Sequence, residues 1–179
     1  MKKLLFILSI VIFLQIGIAY SAELTCEINN GTIGGLQMGS SCDRNAIIRA
    51  IGQEPEKVED DNLIYYYSRY YHYNDLGLFI ATSIEDDVEY LHSFDVYLNK
   101  MEYNGKYHAK FKGNILPQVS SLDTVASIKE KFGAPKEEEL PTGAVKSTLL
   151  HYKKSYGWAI FWFDESGKLD YVSISVVDQ

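Results

Sequence analysis

A pattern that occurs twice constrains the fold of this chain more than any other sequence feature. Each copy begins with a serine pair and an aspartate, continues as a short amphipathic stretch, and ends in glycine with proline close behind, at residues 39–55 and 120–135. A Ser-x-x-Asp sequence is typical of a capping box, and glycine suits the left-handed residue that follows a helix. The two final glycines, Gly52 and Gly133, are 81 residues apart. The sequence therefore predicts one short helix in each of two repeated units.

Each predicted helix is followed by an acidic stretch and then by three candidate strands. We expect the acidic stretches to be connectors, and they lie at 54–61 and 137–139. The candidate strands are 63–73, 78–81 and 94–98 in the first unit, and 148–153, 158–163 and 169–177 in the second. The third strands alternate apolar and polar residues, as a strand with one buried face does. Each unit is thus predicted to pack its helix on a three-stranded antiparallel meander.

Two Asn-Gly pairs predict tight hairpin turns, because a two-residue primed turn needs two positive φ angles. Asn30-Gly31 lies between 24–28 and 32–36, and Asn104-Gly105 joins 96–103 to 106–112 near the boundary between the units. The predicted organisation is an α+β chain with a signal peptide at 1–21, a first unit at 22–104 and a second unit at 105–179. Because no proline-rich linker separates the units, we expect them to pack closely.

The N-terminal segment has the three-part layout of a secretory signal peptide. Lys2 and Lys3 precede an apolar run at 4–18, and the small residues Ala19 and Ser21 suit cleavage after Ser21. The apolar run is about 15 residues long, shorter than the roughly 20 that span a bilayer, and an uncleaved anchor is the alternative. We therefore expect a periplasmic protein, with secretion as the second choice and no stable membrane insertion after cleavage.

The two cysteines, Cys26 and Cys42, both follow the predicted cleavage site. An even, small number of cysteines in an exported chain favours a disulfide, and we predict one between them. The alternative is a metal or redox pair, but the spacing is not CxxC and no histidine lies nearby in the sequence. We accordingly predict neither a metal nor a cofactor.

The composition favours a folded domain and argues against nucleic acid as a partner. The chain is 46% hydrophobic and 13% aromatic, and its formal charge is −7, which becomes −9 once Lys2 and Lys3 are removed. Binding to nucleic acid needs clustered positive charge. The four histidines are isolated, and neither an HExxH nor a G-x-S-x-G sequence occurs, so the sequence predicts that the protein is not an enzyme.

Tyrosines are concentrated in the first candidate strand after the first helix. Six of them fall within nine residues: Tyr65, Tyr66, Tyr67, Tyr70, Tyr71 and Tyr73. On an alternating strand they occupy both faces. Ser68 and His72 place Tyr66 and Tyr70 on the wetter face, whereas comparison with the second unit favours the opposite phase.

Exposed tyrosines offer large contact area at low entropic cost and often form interface hot spots. The alternative is that they are ordinary strand residues. We predict that Tyr66, Tyr70, His72, Tyr97 and Tyr171 contact a protein partner.

The stretch Gly35-Leu36-Gln37-Met38-Gly39, the capped helix and the Gly52-x-x-Pro55 ending resemble the helix entry of small exported domains. These are the domains of the beta-lactamase-inhibitor-protein fold and the outer-membrane-assembly lipoproteins of the SmpA/OmlA type. The resemblance covers most of 31–99 and, more loosely, 111–177. It implies tandem α/β units whose sheets bind another protein and carry no catalytic residue. The chain departs from the lipoproteins because it lacks a good lipidation cysteine.

From these features we expect an exported protein-binding domain that inhibits an enzyme or toxin by steric occlusion, in the manner of a periplasmic immunity protein. Two alternatives stay open. One is a structural or assembly accessory of the cell envelope, and the other is a binder of cell-wall fragments.

Overall fold

Strands make up most of the computed structural model, which describes residues 23–63, 66–103, 106–142 and 146–176. In chain order the elements are β1 (Thr25–Glu27), β2 (Thr32–Ile33), β3 (Leu36–Gln37), α1 (Arg44–Ile51), β4 (Lys57–Leu63), β5 (Tyr66–Tyr73), a 3₁₀ turn (Asn74–Leu76), β6 (Leu78–Glu85), β7 (Val88–Tyr97), β8 (Met101–Tyr103), β9 (Lys106–His108), β10 (Asn114–Leu116), α2 (Val125–Phe132), β11 (Glu137–Glu139), β12 (Thr148–Lys154), β13 (Gly157–Phe163) and β14 (Leu169–Val176). The fold is therefore of mixed α+β class, as the sequence predicts.

One eight-stranded antiparallel sheet contains the longest strands. Its order is β11-β12-β13-β14-β7-β6-β5-β4, so each helix is followed along the chain by four strands that are neighbours in the sheet. The two runs join where β7 pairs with β14, with Val96 opposite Val172 and Phe94 opposite Ile174. The sheet thus crosses the boundary that the sequence predicts near residue 105.

Charged strands form both edges of this sheet. The acidic stretches predicted to be connectors are in fact β4 and β11, so each run has four strands and the predicted three-stranded meanders were wrong. The sequence pattern does not reveal such strands, because an edge strand needs few apolar residues. Exposed unpaired edges invite association with other chains, and charge on the edge opposes it. All three residues of β11 are exposed glutamates, which suits that role.

Capping side chains set the first residue of each helix. The Asp43 carboxylate accepts the N–H of Ala46 at 2.6 Å, and the hydroxyl of Thr124 accepts the N–H of Ser127 at 3.3 Å. Ser127 completes a capping box by accepting the Thr124 N–H at 2.9 Å. The serine pairs predicted to begin the helices do not cap them, because the residue directly before each helix has the extended backbone that an N-cap needs.

Glycine ends both helices, as predicted. Gly52 and Gly133 have φ angles of +86° and +83°, values that residues with a side chain rarely adopt. Each also donates its N–H to the carbonyl four residues back, on Ile48 and Lys129.

The core lies between one face of the large sheet and a layer made of the helices and a small sheet of order β10-β1-β2-β3. Ile47 and Ile51 of α1 and Ile128 of α2 are buried in this cluster. The ring of Phe132, in α2, lies 4.9 Å from the ring of Phe161 in β13. We call this side of the large sheet its helix face.

The two predicted hairpins occur, with differences in their turns. β1 pairs with β2 through Glu27 and Thr32, so the connection has four residues rather than the predicted two, and Gly31 alone within it has positive φ. β8 pairs with β9 through Tyr103 and Lys106. The turn residues Asn104 and Gly105 lie outside the described part of the chain.

Cys26 and Cys42 are two buried free thiols, so the predicted disulfide is not formed in this structure. Their surroundings differ: Cys26 lies in β1 opposite Ile33, whereas Cys42 precedes α1 and donates its N–H to the carbonyl of Glu89. Burial raises the pKa of Cys42 to about 12 and that of Cys26 still further. Both side chains act as apolar core residues here.

A buried polar cluster holds one end of the helix face. The Glu89 carboxylate accepts hydrogen bonds from the hydroxyls of Tyr71 at 2.6 Å and Thr82 at 2.5 Å, and pairs with Arg69 at 3.2 Å. Arg69 also donates to Asp60 at 2.6 Å. Burial and the bond to Glu89 raise the pKa of Tyr71 above its ordinary range. These bonds connect β4, β5, β6 and β7.

We expect Glu89→Ala to destabilise the protein by about 2–4 kcal/mol, because it removes the buried acceptor that Tyr71 and Thr82 share and one of the two carboxylates that pair with Arg69. Urea unfolding followed by circular dichroism measures this, with Glu85→Ala as the control, since Glu85 is exposed on the adjacent strand. Equal stability of the two variants would show that the cluster contributes little.

Gly77 permits a close approach between two parts of the chain. Its φ is +68°, and a Cβ added there would lie 2.3 Å from the carbonyl oxygen of Ala109 and 2.5 Å from the nitrogen of Phe111. The Phe111 N–H in turn donates to the carbonyl of Tyr97 at 2.7 Å. The segment that follows β9 is thereby held against the sheet.

Gly77→Ala should cost well over 2 kcal/mol, because the added methyl meets backbone and the left-handed φ is strained. Gly167→Ala is the matched control: its φ is +76°, but an added Cβ has nothing within 4 Å. We expect that control to lose only about 1 kcal/mol. Comparable losses in thermal unfolding would contradict the close approach.

Candidate functional site

The side of the large sheet that points away from the helices is its open face. Phe79, Asp95, Ser173 and Ile160 are successive cross-strand partners on β6, β7, β14 and β13, so their side chains share this face. The residues that alternate with them, such as Phe94, are buried on the helix face.

Large rings and one aliphatic residue stand half-buried on the open face. They are Tyr70, Phe79, Trp158, Ile160, Trp162 and Tyr171. Trp162 and Tyr171 stack with centroids 5.2 Å apart and planes 16° apart, and Tyr70 stacks on Phe79 at 5.7 Å and 25°. A grouping of partly exposed apolar side chains is typical of binding surfaces.

Small residues lie along one side of Asp95 at the centre of the open face. Ser93 is two positions away on β7, Ser173 is the cross-strand partner of Asp95, and Ala81 and Ser175 are both cross-strand partners of Ser93. Ala81 is only 5% exposed although it lies on this face. We call these five residues the basin, because larger side chains stand beside them on β5 and β6 and on β13.

Asp95 is electrostatically unusual within the basin. Burial raises its pKa from the ordinary 3.8 to about 6, and a hydrogen bond with Ser173 opposes part of that rise. A carboxyl whose pKa is higher in the folded than in the unfolded protein reduces stability as the pH rises through that range. The ionised Asp95 of neutral pH is thus a cost to the fold.

Two of the predicted contact residues, Tyr70 and Tyr171, lie half-buried on the open face. Tyr66 begins β5, but its side chain falls outside the described residues. The choice of phase was correct, since Tyr71 and Tyr73 are completely buried on the helix face.

His72 and Tyr97 also belong to this face, but each is only 4% exposed. His72 Nε2 lies 2.6 Å from Glu59 Oε2, and its ring centroid is 5.1 Å from that of Phe79. Tyr97 is stacked by His108 at 4.0 Å, where the strand after the second hairpin turn covers the sheet. Neighbouring residues cover these two side chains in the structure, and their contact with a partner stays a prediction.

Sequence reasoning missed Trp158, Trp162, Phe79 and Asp95. The strand Gly157–Phe163 is apolar throughout, yet its burial alternates strictly between buried and half-buried positions. Its tryptophans fall at alternating positions, and that was the available signal. Asp95 is one of the polar positions of the alternating strand at 94–98, and that pattern alone gives it no special role.

A recess lies beside the turn between β6 and β7 and is lined by Arg69, Ile84, Asp86, Asp87 and Glu89. Arg69 is already paired with acidic side chains there. In the described part of the chain, no three His, Cys, Asp or Glu side chains converge as metal ligands. No helix among the described residues is long and apolar enough to cross a bilayer.

Comparisons with known proteins add little. No family model matches the chain, and a search of curated proteins finds no match. Among solved structures, the chain is similar to the crystal structure of a DUF4309 family protein (YjgB) from Bacillus subtilis subsp. subtilis str. 168, with a TM-score of 0.48 and 16% sequence identity. The match covers 80% of this chain and 83% of that chain. Function must therefore be argued from the residues of the chain itself.

Asp95→Asn should stabilise the protein at pH 7 by about 2 kcal/mol, since the amide keeps an acceptor for Ser173 and removes a poorly solvated charge. The advantage should fade between pH 6 and pH 4, because Asp95 becomes protonated in the folded protein across this range while it stays largely ionised in the unfolded chain. Urea unfolding of both proteins at several pH values measures the difference. A variant that is less stable at pH 7 and equally so at pH 4 would contradict the assignment.

Proposed function

We propose that this chain is an exported protein-binding domain that inhibits an enzyme or toxin by covering it with the open face. The role we favour is that of a periplasmic immunity protein. The observation that carries the proposal is the set of half-exposed rings on β5, β6, β13 and β14. These strands lie on both sides of the joined centre of the sheet, so the rings are spread across the whole face.

The chemistry of these rings suits a protein partner. Tyr and Trp bury large areas, lose little side-chain entropy and keep a polar atom for hydrogen bonding. Cross-strand stacking, as between Trp162 and Tyr171, fixes the rings before a partner arrives. Fixed contact residues lower the entropic cost of association.

The order of elements supports the proposal that the two halves are repeats. In each half a helix of eight residues precedes four antiparallel strands, and the fourth strands of both halves pair with each other. We propose that a signal peptide at 1–21 exports this pair of units to the periplasm. That segment lies outside the described residues.

A second candidate is the binding of a cell-wall fragment. The near-parallel Trp162 and Tyr171 rings favour it, because stacked aromatic residues also provide a surface for sugar rings. A sugar ring would cover only the area of Trp162 and Tyr171. The rings on β5 and β6 would then have no role in binding.

Capture from envelope extract with residues 22–179 as bait tests the proposal. We expect one protein to be retained, and the Tyr70→Ala/Trp162→Ala variant to bind it at least tenfold more weakly, because hot-spot rings contribute most of the binding energy. The captured protein, if it is an enzyme, should lose activity on addition of the wild-type bait.

The matched control is Leu122→Ala/Leu140→Ala, which removes two large apolar side chains that are 87% and 63% exposed outside the large sheet. It should bind like the wild type, and circular dichroism should show all three baits folded. If no protein is retained while muropeptides raise the Tm of the bait, the cell-wall candidate replaces the proposal.

A further inference from the structure

The surroundings of Asp95 indicate the chemistry of the group that the open face receives. The cross-strand partners of Asp95 are Phe79 and Ser173, and the residues two positions away on its own strand are Ser93 and Tyr97. None of these four carries a charge at neutral pH. Asp95 therefore places a single negative charge among neutral neighbours at the centre of the open face.

The charged side chains nearer the margins of the open face contact residues other than Asp95. Lys57 pairs with Glu59, which also lies 2.6 Å from His72. On the opposite side the Lys153 ammonium lies over the ring of Trp158, 4.9 Å from its centroid. These cations are held at outer strands, so they do not neutralise the carboxylate at the centre.

His151 and Glu139 also contact each other on that side. Their atoms Nε2 and Oε1 are 2.9 Å apart, on β12 and at the end of β11.

Within the described residues, the Ser173 hydroxyl is the hydrogen-bond donor to Asp95. A carboxylate has room for about four such bonds, so Asp95 keeps the capacity to bind a cationic donor from outside.

We propose that the basin receives a lysine or arginine side chain of the protein partner, with the charged head on Asp95 and the methylenes against the surrounding rings. This inference rests on the proposed function and names the feature of the partner that the open face recognises. Aromatic faces attract cations, and a charge-assisted bond in a poorly solvated site is stronger than one in water. The net charge of −7 also attracts a basic surface.

The cost that Asp95 imposes on the fold supports this assignment. An asparagine at this position would keep the hydrogen bond with Ser173 and avoid the desolvated charge. A residue that lowers stability without serving the core is typical of a functional position. A cation from the partner would balance the charge of Asp95 on binding, and this would explain why an acidic residue stands at this position.

Titration of the bait with two peptides tests the inference without the natural partner. The probes are acetyl-Gly-Arg-Gly-amide and its neutral counterpart acetyl-Gly-Gln-Gly-amide, each followed by two-dimensional NMR of the labelled bait at pH 7. The arginine peptide should shift the amide signals of Ser93, Tyr97 and Ser173. The glutamine peptide should not shift them at the same concentration.

Two variants make the titration specific. Asp95→Asn should weaken binding of the arginine peptide at least tenfold, whereas Asp87→Asn, the same change in an exposed turn, should leave it unchanged. Equal shifts from both peptides, or equal binding by wild type and Asp95→Asn, would overturn the inference. Shifts of the same signals by a neutral muropeptide but not by the arginine peptide would overturn it too.

The captured protein separates this inference from the proposed function. If Asp95→Asn and the wild type bind that protein equally well, the occlusion proposal stands and the basic-side-chain inference fails. If the bait retains no protein, the proposed function fails, and with it the assignment of the basin to a partner side chain. If Asp95→Asn by itself weakens binding of the captured protein at least tenfold, the result supports both the proposed function and the basic-side-chain inference.

Discussion

The antiparallel pairing of β7 with β14 determines what else this chain can do. It joins two four-stranded runs into one sheet and brings Asp95, Tyr97, Tyr171 and Ser173 together from opposite halves of the sequence. The helix face of that sheet is covered by both helices and the small sheet. Among the described residues, β9 covers one end of the other face through the contact between His108 and Tyr97. The pairing therefore forms the sheet whose one face closes the core and whose other face is the open face.

The two faces deal with polar groups in opposite ways. On the helix face the Glu89 carboxylate is satisfied by two hydroxyls and Arg69, so its burial contributes to a defined arrangement of strands. On the open face Asp95 has far less support, and burial raises its pKa to about 6. A satisfied acid holds structure together, whereas a poorly satisfied one on the open face of a sheet is suited to binding.

Sequence reasoning found the parts of the fold that local chemistry determines. The helices end at glycine as predicted, and the phase of β5 followed from Ser68 and His72. It failed where the outcome depends on distant residues. The edge strands β4 and β11 contain too many acids to show a strand pattern, and Tyr97 is buried by His108, which no local pattern reveals. In the apolar strand β13, both faces look alike in sequence although only one is buried.

We propose that a protein partner covers the open face, with Asp95 at the centre of the contact. Hydroxyl-radical footprinting of the bait, alone and in complex with its captured protein, measures this directly by mass spectrometry. We expect Trp158, Trp162 and Tyr171 to become protected on binding, while Leu122, exposed outside the large sheet, is oxidised equally in both samples. Protection confined to the helices or to the recess at Asp87, with unchanged oxidation of the tryptophans, would contradict it.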